Sequence, residues 1–290
     1  MTPTLVRQHM SHAGPAPRAD LCARARDWSE IQERMLVPLY EAVHERLEVG
    51  PATRLLGLRC GSGLALLLAA GRGAAVTGVD AASPERLALA RARLLPDAAS
   101  GSSSGTRARA AVELVAGPPA DVSGAETAAY SLVTVFEPIG CLAGDSEGLG
   151  ELLEDALPLA VRGAAVVLAG WGPPERCATS SVLRVATKLA DPLRSARSWR
   201  PARRDDLEEV AQRAGLKPDG SGRVACPFGY ADVESALRGL LSTGLFDAAI
   251  AATDAKQVDK ELTEALHPYR RPDGTVWMPN VFRYLVARVP

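Results

Sequence analysis

The stretch Leu55–Gly63, LLGLRCGSG, and the acid Asp80 carry the clearest chemistry in the sequence. A short apolar run enters a turn containing Gly61 and Gly63. A second apolar run, Ala75–Val79, ends in Asp80, 17 residues beyond Gly63. Glycine lets the backbone come close to a ligand, and a carboxylate at a strand end can accept hydrogen bonds from two ribose hydroxyls. The dinucleotide fingerprint G-x-G-x-x-G needs a small third residue so that a pyrophosphate can sit on the helix N-terminus. Leu66 stands at that place, and no G-x-x-x-x-G-K-S/T phosphate loop occurs. The turn therefore suits a nucleoside carrying a small zwitterionic tail.

The elements around the turn must hold it in place. Arg54–Leu58 reads as a buried strand and Leu64–Ala70 as a helix starting straight after the glycines. Ala75–Val79 is a second strand. Ser83-Pro84-Glu85 opens a helix running to about Leu95, with Ser as N-cap and Pro at the first helical position. Val112–Val115, Leu132–Phe136 and Ala164–Ala169 read as further strands, and Glu147–Leu159 as a helix. These strands are continuous apolar runs alternating with helices, the pattern of a parallel sheet covered on both faces. Upstream, residues 1–19 read as a flexible tail and Asp20 to about Leu47 as helical, with Pro38 breaking or kinking the run. Downstream, Ser180–Leu189, Arg203–Ala214 (capped by Gly215), Ala231–Leu241 and Phe246–Leu266 read as helices, and Thr275–Val289 as a closing strand-like run. The segment Pro96–Thr106 is a loop by composition.

The chain resembles the Rossmann-like (class I) S-adenosylmethionine-dependent methyltransferases, of the small-molecule type of bacterial specialised metabolism. The carriers are LLGLRCGSG (Leu55–Gly63), VTGVDAASPERLALAR (Val76–Arg91), YSLVTVFEPIG (Tyr130–Gly140) and the closing VFRYLVARV (Val281–Val289). The resemblance implies an α/β fold with a mostly parallel seven-stranded sheet, helices on both faces and a helical cap. It implies a helical lid over 20–52, a cofactor-binding core over 53–170, a cap and substrate region with one sheet strand over 171–270, and a closing strand over 271–290. It further implies that Gly61 and Gly63 let the backbone approach the methionine part, with Gly57, Arg59 and Cys60 among the cofactor-binding positions, that Asp80 holds the ribose, and that Ala81 and Ala82 lie beside the adenosine. Gly117-Pro118-Pro119 stands where the family's adenine contacts lie, and Glu137 and Pro138 line the mouth. The implied activity is methyl transfer to a small organic substrate by in-line displacement, with S-adenosylhomocysteine as product.

Two positions depart from the family pattern. Gly57 stands where members often carry an acid that helps hold the methionine amino group, and Arg59 stands where they usually carry glycine or a small residue. Arg59 could point to solvent, pair with the methionine carboxylate through its planar fork, or block the pocket. The last case leaves open a non-methylating reaction such as a cyclisation, or a binding module. Cys60 reads as a small buried filler. Trp28, Gln32 and Tyr40 read as packing residues or parts of a lid, and Phe228 and Tyr230 as pocket or cap residues. His267, His44 and Glu137 are the candidates for a general base; no catalytic residue follows from their spacing.

Composition excludes other classes. A net charge of −1 lacks the basic surplus that nucleic acid or an anionic membrane would need as main partner, and the Arg200–Arg204 cluster reads as a solvated helix start. Cys22, Cys60, Cys141, Cys177 and Cys226 contain no C-x-x-C pair, and His9, His12, His44 and His267 show no metal spacing, so neither a zinc site nor a disulfide framework is expected. The longest apolar run near the glycines is too short to cross a bilayer, and no signal-like hydrophobic region opens the chain. A cytoplasmic protein, monomer or homodimer, with a small-molecule substrate is the expectation.

Overall fold

The computed structural model describes residues 20–96, 111–123, 129–140, 146–190 and 205–290. The expected tail, most of the Pro96–Thr106 loop, Cys141 and the Arg200–Arg204 cluster lie outside the described residues. The chain forms a seven-stranded sheet in the order β3-β2-β1-β4-β5-β9-β6. The strands are β1 (Arg54–Leu58), β2 (Ala75–Val79), β3 (Val112–Val115), β4 (Tyr130–Ile139), β5 (Ala160–Trp171), β6 (Lys217–Ala225) and β9 (Val281–Arg288). β1 to β5 pair in parallel, and β9 runs antiparallel between β5 and β6. A separate two-stranded piece joins β7 (Phe228–Tyr230) to β8 (Val276–Met278).

Both faces of the sheet are covered, as the unbroken apolar runs imply. Successive residues of one strand feed two different cores: Leu55 and Leu132 belong to one, Leu56 and Val133 to the other. The first core is closed by the N-terminal helices and by α6 (Thr179–Ala190), α8 (Val233–Ser242), α9 (Asp247–Ala252) and α10 (Ala255–Leu266). The second is closed by α5 (Leu149–Ala156) and α7 (Asp206–Arg213). Between β1 and β2 lies α3 (Leu64–Gly71), and between β2 and β3 lies α4 (Pro84–Leu94), capped by the Ser83 hydroxyl.

Three boundaries differ from the sequence reading, each for a local reason. Phe246–Leu266 is two helices, because Thr253 leaves helical geometry and Asp254 caps α10 by accepting from Gln257 N at 2.8 Å. Thr275–Val289 is two strands, split at Pro279-Asn280, where Asn280 accepts from Thr179 N at 3.1 Å instead of extending a strand. The Pro38 break lies earlier than expected. α1 (Leu21–Asp27) passes into a wide π turn (Trp28–Gln32) and a 3-10 turn (Glu33–Leu36), and Pro38 sits in the first turn of α2 (Val37–Arg46), where its missing N–H costs nothing.

Candidate functional site

A cavity of about 290 Å³ opens at the carboxyl ends of β1, β2 and β4, near the lower limit of small-molecule sites at roughly 300 Å³. It lies at the switch point of the sheet: from β1 the chain winds outward through β2 and β3, then returns to lay β4 on the other flank of β1. Ligands of open α/β sheets bind in this crevice. The floor comes from Gly57 to Gly61, one wall from Asp80, Ala82, Ser83 and Arg86, and the other from Thr134, Phe136, Glu137 and Pro138. Trp28, Glu33, Leu36 and Tyr40 of the N-terminal segment cover it.

The glycine turn is built by local constraints. Gly61 and Gly63 take left-handed backbone (φ +57° and +76°), and Gly63 starts α3 so tightly that a Cβ there would stand 2.9 Å from Ala90 Cβ. Arg59 is also left-handed (φ +49°), a geometry costing a non-glycine residue about 1–2 kcal/mol. Its guanidinium reaches across the mouth to Glu137 Oε2 at 2.9 Å and the Glu147 carbonyl at 3.2 Å. Gly57 and Leu66 fit one another in size: a Cβ at 57 would stand 2.8 Å from Leu66 Cδ2. Cys60 packs beside Gly78, and burial pushes its thiol up to about 12, so it stays protonated filler.

Asp80 is buried and ties the turn to the β2 end. Its Oδ2 accepts from Gly61 N at 3.0 Å, and its Oδ1 from Ala82 N at 2.9 Å and Ser83 N at 3.2 Å. A carboxylate has about four acceptor positions, so Oδ2 keeps one for a hydroxyl in the cavity.

The N-terminal segment is clamped onto the turn by a buried ionic cluster. Arg93 Nη1 donates to Glu33 Oε2 at 3.0 Å and to the Ser62 carbonyl at 2.8 Å, and Arg93 Nη2 to Ser29 Oγ at 2.6 Å. Ser62 Oγ also donates to Glu33 Oε2. Glu33 Oε1 has one long bond, from Leu64 N at 3.4 Å. Trp28 lies under the Arg86 guanidinium, 4.2 Å from ring centroid to Cζ, and its buried Nε1 has no partner. An unpaired buried donor costs about 1–3 kcal/mol. The segment is further tied to α9 and α8 by the ion pairs Arg24–Asp247 and Arg238–Asp27.

No family model and no curated protein matches the chain. Solved structures do. A Bacillus halodurans C-125 protein proposed as a methyltransferase superposes with TM-score 0.52 at 15% identity, covering 87% of this chain and 98% of that one. A chain of the complex between the Haloferax volcanii Trm112 methyltransferase activator and its proposed methyltransferase gives 0.52 at 18% identity, over 95% and 100%. YjhP of E. coli gives 0.50 at 19% identity, over 94% and 100%. The fold is the Rossmann-like methyltransferase fold. The antiparallel β9 between β5 and β6 completes its seven strands.

Within this fold the cavity gathers Gly57, Arg59, Cys60, Gly61, Asp80, Ala82, Glu137 and Pro138 from among the residues singled out in the sequence. Gly63, Ala81 and Gly117-Pro118-Pro119 do not line it. Gly63 serves helix packing, Ala81 is exposed, and Gly117 packs against the Asp121 side chain. Trp28 and Tyr40 do cover the cavity, whereas Gln32 turns away to accept from the Tyr230 hydroxyl at 2.9 Å. Phe228 packs against Trp171 and Phe282. Glu33 and Arg86 line the cavity without having stood out in the sequence. A second, more open cavity of about 910 Å³, between Pro174–Arg184 and Trp277–Val281, shares no lining residue with the first.

Neither histidine candidate reaches the site. His267 is exposed in a 3-10 turn away from the cavity. His44 is fully buried behind Phe136, and both ring nitrogens lack partners. Burial, assisted by the Arg72 charge, lowers its pKa from 6.5 to about 4. The unfolded chain therefore takes up this proton first as pH falls. Above pH 6.5 the residue has no effect on the pH dependence; between 6.5 and about 4 it withdraws stability, reaching about 3 kcal/mol at the lower end. His44→Leu is expected to abolish that part of the acid sensitivity. Denaturant unfolding at pH 7.5 and 5 would show it as a gain that is larger at the lower pH.

Proposed function

We propose that the protein binds S-adenosylmethionine in the cavity at the β1, β2 and β4 ends and transfers its methyl group to a small organic acceptor. The observation carrying this reading is the convergence of a left-handed glycine turn, a strand-end acid with an acceptor position to spare, and an unpaired indole N–H on one cavity. The groups present suit the cofactor: Asp80 for a ribose hydroxyl, the Gly61 backbone for close approach, and Ala82 with Ser83 beside the base. When bound, the cofactor supplies an electrophilic methyl on a sulfonium.

The chain's own task is alignment and exclusion of water. Transfer of that methyl would leave a neutral thioether behind, so the chain would need to stabilise no new charge and would serve the step through alignment. Alignment can contribute on the order of 7–11 kcal/mol to such a step. Leu36, Tyr40 and Phe136 give the cavity an apolar side, which favours a desolvated organic acceptor. Tyr40 stays a neutral phenol, since burial, reinforced by the Glu33 charge, holds its pKa well above 10.0. Glu137, half exposed and paired with Arg59, stands at the mouth where an acceptor enters.

Calorimetric titration with S-adenosylmethionine and S-adenosylhomocysteine tests the reading. Micromolar binding, about −8 kcal/mol, is expected, with roughly tenfold loss in Asp80→Asn, whose single oxygen cannot serve both loops and a hydroxyl. A folded protein that binds neither compound would refute the proposal. A screen of small acceptors with labelled methyl cofactor follows a positive result.

A further inference from the structure

Two polar atoms of the cavity remain underused, and they face the same point. A Cβ placed on Gly61 would stand 3.5 Å from Trp28 Nε1 and 3.7 Å from Glu33 Oε1. The first is a buried donor with no partner; the second is a buried carboxylate oxygen holding one long bond. Buried polar groups are normally satisfied, so a donor and an anionic acceptor left open over a glycine mark a ligand that offers both an acceptor and a cationic donor within a few ångströms. An α-amino acid head group has that chemistry.

We infer that Trp28 and Glu33 together recognise an α-amino acid head group, the indole N–H donating to its carboxylate and Glu33 Oε1 accepting from its ammonium. The inference rests on the proposed cofactor, whose methionine end carries that group. The other charged groups of the site are committed elsewhere. Arg59 holds Glu137 and the Glu147 carbonyl, Arg86 donates to the Ser242 carbonyl at 2.7 Å and lies over the Trp28 ring, Arg93 holds Glu33 Oε2, Ser62 and Ser29, and Asp80 binds three backbone N–H groups and has its spare position assigned to the ribose hydroxyl. Glu33 thus provides, from the N-terminal segment, the carboxylate that the β1 end lacks at Gly57. Recognition of the head group and seating of that segment become one event, because the π turn that aims Trp28 also aims Glu33: Glu33 N–H bonds the Trp28 carbonyl.

The test compares S-adenosylhomocysteine with 5′-methylthioadenosine, which lacks the amino-acid end, and with L-methionine, which lacks the nucleoside. The unaltered protein is expected to bind the homocysteine compound at least roughly tenfold more tightly than methylthioadenosine. Trp28→Phe keeps an aromatic face for Arg86 and removes the N–H; Glu33→Gln removes the charge. Each is expected to weaken S-adenosylhomocysteine roughly tenfold while leaving methylthioadenosine unchanged. Should Glu33→Gln loosen the fold, as thermal unfolding would reveal, Trp28→Phe alone decides. Equal affinity of the two nucleosides for the unaltered protein, or a preference that survives in Trp28→Phe, would overturn the inference while the cofactor reading stands. Binding of L-methionine with no binding of either nucleoside would keep head-group recognition and overturn the cofactor reading. Binding of none of the three by a folded protein would overturn both.

Discussion

Restoring an acid at the β1 end, by Gly57→Asp, is expected to destabilise the protein by at least about 3 kcal/mol. Gly57 lies buried in β1 between β2 and β4. Its missing side chain is the space that Leu66 fills, 2.8 Å from where a Cβ would stand, and Leu66 is itself 2% exposed. The substitution therefore overpacks a closed contact and adds a carboxylate in a place shaped for methyl groups. Leu66→Ala alone would leave a void and cost about 2–5 kcal/mol. In the double variant the clash is relieved and the void partly filled, so the two costs should fall short of additivity by at least about 1 kcal/mol. Urea unfolding of the four proteins measures this. Strict additivity would mean that Gly57 and Leu66 are not a coupled pair and that the missing acid has another cause.

That coupling bears on how much of the site was legible beforehand. The fold could be read because its signals are local. β1 and β2 are short, largely apolar runs that lead into the glycine turn and into Asp80, and Ser83-Pro84 announces α4 by capping chemistry that depends on no distant partner. β6, Lys217–Ala225, gave no such signal. It is an edge strand, paired only with β9, exposed along much of its length, and accommodates the Tyr284 ring over Gly222. No apolar run is required of a strand in that position.

The cavity was half legible. Gly61, Asp80 and Glu137 could be placed because each sits at a strand end, and strand ends gather at the switch point of such a sheet. Glu33 could not. On an α-helix, residues 28 and 33 would stand about 140° apart, so Trp28 on the cavity would send Glu33 elsewhere. The π turn closes an i to i−5 bond from Glu33 N–H to the Trp28 carbonyl and brings both over the glycine turn. Such wide turns are frequent at functional sites. This one is held from outside, by Arg93 on a helix 60 residues away. For the same reason the Gly57 departure reads differently in three dimensions. Under the head-group inference, Glu33 would supply from another element the acid that Gly57 does not provide.

Arg93→Met is the sharpest test of that clamp, and a loss of about 3–5 kcal/mol is expected. The Glu33 side chain is 4% exposed and that of Arg93 20%, so removing the guanidinium leaves a carboxylate in a nearly dry place without its cation. The Ser62 carbonyl and Ser29 hydroxyl lose their donor at the same time. Unpairing a buried charge costs far more than deleting both partners, so Glu33→Gln/Arg93→Met should recover much of the single variant's loss. The effect should also be regional. Arg93 joins the turn at Ser29 and Glu33 to the α3 start at Ser62, so the N-terminal segment should open before the sheet does. Limited proteolysis would then cut Arg93→Met within residues 20–47 at denaturant concentrations where the sheet is still protected. If the single and double variants lose the same stability, the charge pair contributes nothing beyond its hydrogen bonds. If cleavage is unchanged, the segment is held by its ion pairs to α9 and α8, Arg24–Asp247 and Arg238–Asp27, and not by the glycine turn it covers.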